Sequence, residues 1–84
     1  MNRQLIIESF RLAIKNNRNI YTALFGNDII PNNIEDTVLS LSSLDYVDLL
    51  IEIEDSLNIE ISDKYMNLNN ITIGELVKRI EKNV

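Results

Sequence analysis

Near the N-terminus, apolar residues recur at helical spacing while most charged residues occupy other faces. The apolar positions are Leu5, Ile6, Phe10, Ala13 and Ile14. A period of this kind predicts an amphipathic helix over residues 3–16. The polar residues 16–19 are expected to end this helix, and the apolar segment 20–25 could add a helical turn before Gly26.

A long connection without helical periodicity follows, from Gly26 to about residue 41. Pro31 biases Ile30 away from helical backbone angles. Connections of this length are often functional or packed by their own apolar side chains. The residues that could pack this one are Ile29, Ile30, Ile34, Val38, Leu39 and Leu41.

The clearest helix is predicted over residues 43–57, where two stripes of opposite character share one helical period. The core-facing stripe contains Tyr46, Leu50, Ile53 and Leu57. The solvent-facing stripe is acidic and contains Asp45, Asp48, Glu52 and Asp55. Ser42 stands three residues before Asp45, an arrangement similar to a capping box, so it is expected to start the helix.

The last third of the chain predicts a connection and two further helices. Residues 58–62 alternate between polar and apolar, but a single strand would have no partner, so we expect a loop. A short helix through Leu68 is expected next, capped by Ser62 or Asp63. Thr72 and Glu75 then give a second capping-box signal for a helix to about residue 83. Its inward-facing residues are Ile73, Leu76, Val77 and Ile80.

The sequence therefore predicts one all-α domain over residues 1–84, with three main helices and one short helix. Histidine and cysteine are both absent. Their absence excludes disulfides, Cys/His zinc sites, thiol nucleophiles and His-based triads. No apolar run exceeds three residues, so no membrane span is expected. The polar N-terminus does not resemble a signal peptide, and we expect a cytoplasmic protein.

Charge is distributed very unevenly along the chain. The net charge is −5, yet residues 35–63 hold nine acidic residues and no basic one. The segments on either side, residues 1–34 and 64–84, each carry a small positive net charge. The acidic middle repels phosphate and makes nucleic acid a poor partner. It would attract proteins with basic patches, although a solvated acidic face without any partner is the alternative.

Residues 39–45 read LSLSSLD and are followed by Val47, Asp48, Leu49, Glu54 and Glu60-Ile61. This stretch resembles the acyl carrier proteins, whose pattern is Leu-Gly-x-Asp-Ser-Leu at the end of a long loop, followed by an acidic helix. Residues 71–76 resemble the family's opening of its last helix, so the resemblance covers essentially the whole chain. The sequence departs from the family pattern at two positions, with Ser40 in place of the glycine and Ser42 in place of the aspartate.

The resemblance implies a small acyl-carrier-like helical bundle and a set of site residues. Ser43 falls on the serine that carries a covalent 4′-phosphopantetheine arm derived from coenzyme A. The residues that would contact partner proteins are Leu44, Asp45, Asp48, Glu52, Glu54 and Asp55. The residues that would line an acyl pocket are Val47, Leu50, Ile51, Ile61, Met66 and Leu68. No metal site is implied.

The expected function is that of a stand-alone, monomeric carrier in fatty-acid, polyketide or related biosynthesis, and not of an enzyme. Its partners would be a phosphopantetheinyl transferase and the acyl- or aminoacyl-loading, elongating and off-loading enzymes, with neither nucleic acid nor a membrane involved. An aminoacyl or peptidyl carrier is the first alternative, and an arm-less acidic helical adaptor is the second. A small enzyme or metal protein is disfavoured, because the acidic run lacks the spacing of a calcium loop and there is no Gly-rich phosphate loop.

Overall fold

The computed structural model describes residues 2–68 and 70–83, except for the side chains of residues 62, 63 and 83. Five helices follow one another along the chain: α1 (Arg3–Asn16), α2 (Arg18–Phe25), α3 (Ser43–Leu57), α4 (Ser62–Tyr65) and α5 (Ile73–Asn83). Outside the helices, the described residues form one isolated antiparallel bridge, between Val38 and Thr72. The all-α prediction is confirmed. None of the described helices is both long and apolar enough to cross a membrane.

The bounds of α1 and α3 agree with the periodicity, and polar side chains explain where both begin. The side chain of Asn2 accepts a hydrogen bond from the Gln4 amide (2.7 Å) at the start of α1. Ser42 Oγ accepts one from the Asp45 amide (3.2 Å), as the capping pattern predicts. At the other end of α3, Asn58 adopts a left-handed conformation (φ 55°) that stops the helix.

The residues after α1 were expected to contain no more than a helical turn, and this expectation is wrong. Asn17 ends α1 by donating its backbone N–H to the Ile14 carbonyl (3.3 Å). The side chain of the same residue accepts a hydrogen bond from the Ile20 amide (3.2 Å) and so starts α2. One asparagine therefore separates two helices, and the eight-residue α2 is a second short helix beside α4.

The C-terminal third agrees with the prediction except around α4. Ile61 occupies the N-cap position of α4, and the helix ends at Tyr65 instead of Leu68. The side chains of Ser62 and Asp63, the predicted caps, lie outside the described residues. Residues 58–61 form a connection, as expected. α5 begins at Ile73, where Thr72 Oγ1 accepts a hydrogen bond from the Glu75 amide (3.1 Å).

The core lies between α1, α3 and α5, and the predicted inward faces of these helices supply most of it. The fully buried side chains on them are Ile6, Phe10, Ile14, Tyr46, Leu49, Leu50, Ile53, Ile73, Leu76, Val77 and Ile80. Leu5, although it follows the helical period, is 59% exposed. The Tyr46 hydroxyl donates to the Tyr65 carbonyl (2.8 Å) and the Tyr65 hydroxyl donates to the Arg79 carbonyl (3.0 Å). These bonds connect α3, α4 and α5.

The long connection, residues 26–42, is only partly packed by the residues expected to pack it. Ile34 and Leu39 are buried, and Ile30 and Leu41 lie against the core. Ile29 is 86% exposed and Val38 is also exposed, so these two expectations are wrong. Polar contacts hold the parts of the connection that apolar side chains do not pack. The backbone N–H and C=O groups of a connection that lies against the protein also need hydrogen-bond partners.

Candidate functional site around Ser43

Ser43 is the first residue of α3, and its side chain is exposed. Ser42 precedes it as the N-cap, so the structure gives the two neighbouring serines different positions at the helix start. The first amides of an α-helix have no acceptor within the helix, and the helix dipole is positive there. A phosphate attached at Ser43 would therefore lie in a favourable electrostatic environment.

The connection that leads to Ser43 is fixed against the start of α5 by three backbone hydrogen bonds. Leu39 donates to the Ile71 carbonyl (2.8 Å), Ile73 donates to the Thr37 carbonyl and Gly74 donates to the Glu35 carbonyl (both 2.9 Å). Two of the otherwise unpaired amides of the α5 N-terminus are satisfied in this way. The segment that ends four residues before Ser43 thus has a defined position relative to α5.

Gly74 permits this close approach because it has no Cβ atom. A Cβ atom at this position would lie 3.0 Å from the Glu35 carbonyl oxygen and 3.1 Å from the Glu35 Cβ atom. The side chain of Glu35 forms an ion pair with Arg3, which also reaches Glu81 Oε1 (3.2 Å). Glu35 consequently holds the connection to both α5 and α1.

The four predicted stripe residues share one face of α3 and form the acidic stripe. Asp45 and Asp48 are half-buried, whereas Glu52 and Asp55 are exposed. Within residues 2–68 and 70–83, none of the four forms a salt bridge. An uncompensated row of carboxylates of this kind attracts positively charged proteins.

Glu54 lies apart from the acidic stripe and has a structural contact. Its Oε2 atom accepts a hydrogen bond from the Ile61 amide (2.8 Å), in the connection between α3 and α4. Helix geometry places Glu54 about 160° around the helix from Glu52 and about 100° from Asp55. The sequence grouped Glu54 with the partner-binding acids because spacing alone does not reveal this bond.

Leu44, Val47 and Ile51 form an apolar strip beside the acidic stripe. Leu44 is 72% exposed and Ile51 is 43% exposed, while Val47 is half-buried. The other residues expected to line an acyl pocket divide in two groups. Leu50 and Ile61 belong to the buried core, whereas Met66 is 40% exposed and Leu68 is half-buried.

Tyr46 faces away from this surface and is a core residue. Burial raises the pKa of its hydroxyl to about 12, against a smaller opposing effect of the positive charge on Arg79. A phenol with such a pKa stays protonated near neutral pH and donates its hydrogen bond.

Among the described residues, no group of three or more acidic side chains is arranged to hold a metal ion.

A surface cavity that the sequence did not indicate lies where α1 meets α2, and it is widely open to solvent. Its volume is about 500 Å³, and it is lined by Lys15, Asn16, Arg18, Tyr21, Thr22 and residues 26–27. We call it the basic cavity. A smaller depression beside it is lined by Arg11, Lys15, Tyr21 and Ile30. The signal in the sequence was the helical spacing of Arg11, Lys15 and Arg18, which are four and three residues apart. The net positive charge of residues 1–34 includes these three residues but does not show that they lie close together.

No model of a known protein family, no curated protein and no solved structure matches this chain. The resemblance to the acyl carrier proteins therefore rests on the residues around Ser43 and on residues 71–76, and it is a prediction from the sequence.

Proposed function

We propose that this protein is a carrier of acyl-carrier-like fold that holds an acyl intermediate as a thioester, on a 4′-phosphopantetheine arm attached to Ser43. The observation that carries the proposal is the position of Ser43. It is an exposed hydroxyl on the first turn of α3, next to the exposed Leu44 and the acidic stripe. The proposal also includes a cytoplasmic location and no catalytic role of its own.

The attachment needs little chemistry from the carrier itself. Ser43 Oγ would take the phosphopantetheinyl group from coenzyme A, with formation of a serine phosphodiester and release of adenosine 3′,5′-bisphosphate. The transferase would accept the hydroxyl proton, so the lack of histidine in this chain is no obstacle. The thiol at the end of the arm supplies the sulfur that a chain without cysteine lacks.

The surface beside Ser43 supports transient docking of enzymes. The acidic stripe would speed encounters with basic patches by long-range attraction. Leu44, Val47 and Ile51 would then contribute apolar contact area, which exposed side chains gain when a partner excludes water from them. An adjacent charged row and apolar strip suit a partner that binds quickly and also leaves quickly.

The test is intact-mass measurement after incubation with coenzyme A, magnesium and a broad-specificity phosphopantetheinyl transferase. We expect the protein to gain the mass of one phosphopantetheine group, and Ser43→Ala to gain nothing. Ser56→Ala is the matched control, because Ser56 is an exposed serine near the other end of the same helix. It should be modified as readily as the parent protein.

Ser42→Asp restores the residue of the family pattern and separates two kinds of failure. If the parent protein stays unmodified but Ser42→Asp is modified at Ser43, the protein is a carrier that requires a selective transferase. If both stay unmodified while the transferase modifies an unrelated carrier, the arm is not attached here and the proposal fails. Modification that persists in Ser43→Ala would disprove the site.

An arm-less adaptor is the second candidate, and the exposed strip favours it independently of Ser43. Leu44 and Ile51 lie beside unpaired carboxylates, a combination that can bind a basic, partly apolar partner without any cofactor. For an adaptor, Ser43→Ala would leave partner binding unchanged, whereas Asp48→Lys would weaken it. For the carrier, Ser43→Ala abolishes acyl transfer.

The proposal leads to a second experiment, which identifies the cargo. The acid at position 45 resembles fatty-acid-type carriers and favours an acyl cargo over an aminoacyl one. Incubation of the modified protein with acyl- and aminoacyl-loading enzymes would distinguish the two by mass. Loading by an aminoacyl enzyme alone would make the protein a peptidyl-type carrier.

A further inference from the structure

The basic cavity at the junction of α1 and α2 has the size and the side chains of an anion site. Its volume of about 500 Å³ lies within the usual range of small-molecule sites. Lys15 and Arg18 bring positive charge, while Asn16 and Thr22 bring hydrogen-bond donors. No acidic side chain lines it among the residues that the structure describes.

The charges of Lys15 and Arg18 are not neutralised by the protein. Both residues are exposed, and neither forms a salt bridge within the described part of the chain. Arg11 differs, because its guanidinium donates to the carbonyls of Pro31 (2.9 Å) and Asn32 (2.6 Å) and lies 3.9 Å from Glu8. Two free cations thus remain at the cavity, although the chain as a whole is acidic.

Hydrogen bonds within the protein connect the two helices that line the cavity and position its tyrosine. Asn17 caps both α1 and α2 and so joins the helices that carry Lys15 and Arg18 directly. The Tyr21 hydroxyl donates to the Asp28 carbonyl, and the Tyr21 ring packs edge-on against Phe25 with centroids 6.0 Å apart. The Tyr21 side chain is thus positioned by the protein, whereas the Lys15 and Arg18 side chains are exposed to solvent.

We propose that the basic cavity binds a small phosphorylated ligand of the nucleoside diphosphate class. Lys15 and Arg18 contact the phosphate oxygens, and the Tyr21 ring packs against the organic part. Nucleic acid is a poorer fit, because the nine unopposed acids of residues 35–63 repel a long phosphate chain. This site is separate from Ser43, and the inference does not depend on the proposed carrier function.

The test is a titration of the full protein with ADP and with inorganic pyrophosphate at low ionic strength, followed through backbone amide NMR signals. We expect saturable shifts confined to residues 15–28. Lys15→Gln and Arg18→Gln should each weaken the binding of both ligands about tenfold, since each removes a charge-assisted hydrogen bond. Tyr21→Leu should weaken the binding of ADP more than that of pyrophosphate.

Lys78→Gln is the matched control, because Lys78 is an exposed lysine on α5 outside the cavity. It should bind both ligands as the parent protein does, and so should Ser43→Ala. Unsaturable shifts spread over all basic residues, or unchanged binding in Lys15→Gln and Arg18→Gln, would overturn the proposal. So would a salt-sensitive dimer that forms without ligand and is lost in these two variants, because the cavity would then hold the acidic stripe of a second copy.

Discussion

The two halves of the long connection between α2 and α3 are held by different means. The second half, residues 33–39, pairs backbone-to-backbone with the start of α5 and buries Ile34 and Leu39. The first half, residues 26–32, is held from outside by the side chains of Arg11 and Tyr21, which donate to its carbonyls. Positional precision is thus concentrated in the half that leads directly to Ser43.

This contrast indicates what each half is suited for. Backbone pairing resists displacement, because several hydrogen bonds and buried apolar groups must be lost together. Side-chain contacts to exposed carbonyls are individually weak and can be exchanged for water at little net cost. The half next to the basic cavity is therefore the one that can adjust, and the half next to Ser43 is the one that cannot.

Gly74→Ala should have the largest effect on the backbone-paired half. The added Cβ would lie 3.0 Å from the Glu35 carbonyl oxygen and force the two backbones apart. Overpacking of this kind costs about 1–3 kcal/mol of unfolding free energy. Urea denaturation measures this change in unfolding free energy, and whether it is a loss or a gain decides the prediction. Glycine to alanine in the first turn of an unobstructed helix would instead stabilise the protein by about 1 kcal/mol.

Substitution of Tyr46 tests the hydrogen bonds that connect α3 to α5 through Tyr65. Residues 33–39 pair with the start of α5 and depend on its position. Its phenol is buried and protonated in the folded protein, with a pKa of about 12 against an ordinary value near 10. The unfolded chain releases this proton first as pH rises, so stability present below pH 10 is lost between pH 10 and 12. Tyr46→Phe should cost about 1–2 kcal/mol at neutral pH, because the Tyr65 carbonyl loses its donor.

The same variant provides the control for the pH dependence. Unfolding free energies of the parent protein and Tyr46→Phe, measured in urea from neutral pH to pH 12, should converge as pH rises. Parallel curves would show that Tyr46 does not govern the alkaline loss of stability. Tyr21→Phe is the matched comparison at neutral pH. The Tyr21 hydroxyl is exposed, so its removal should cost less unfolding free energy than removal of the buried Tyr46 hydroxyl.

Arg11→Met should have the smallest effect on stability and act on the other half. It removes two hydrogen bonds to the Pro31 and Asn32 carbonyls, both exposed, at a cost of about 1 kcal/mol. Amide hydrogen exchange should accelerate over residues 28–33 and stay unchanged over residues 35–39. Faster exchange in both halves alike would show that the connection behaves as one unit and would remove the contrast.

Local signals were sufficient for the three main helices. Apolar periodicity and the capping residues Ser42 and Thr72 gave the starts of α3 and α5, because these signals lie within a few residues of the feature they specify. Asn17 was misread, because its side chain starts a helix at the same point where its backbone ends one. An asparagine-rich segment is typical of a helix stop. The sequence does not show which asparagine side chain lies close enough to a free backbone amide to accept a hydrogen bond from it.

The candidate site was predictable only where helical geometry alone decides. The exposure of Leu44, Glu52 and Asp55 follows from their angular positions on α3. The bond from Glu54 to Ile61 and the fit of Gly74 against Glu35 depend on contacts between distant parts of the chain. The basic cavity was missed for the same reason, since it forms only when α2 folds as a helix next to α1.

The pairing of residues 35–39 with residues 71–74 has a consequence for the order of folding. Each of its three backbone bonds joins groups that are 32 to 39 positions apart in the chain. Contacts between such distant residues form late, because closing a long loop costs entropy before any contact compensates for it. During synthesis, the approach to Ser43 cannot take its final shape until the segment that becomes α5 has left the ribosome. An enzyme that requires this shape would then act only on chains whose last helix is already in place.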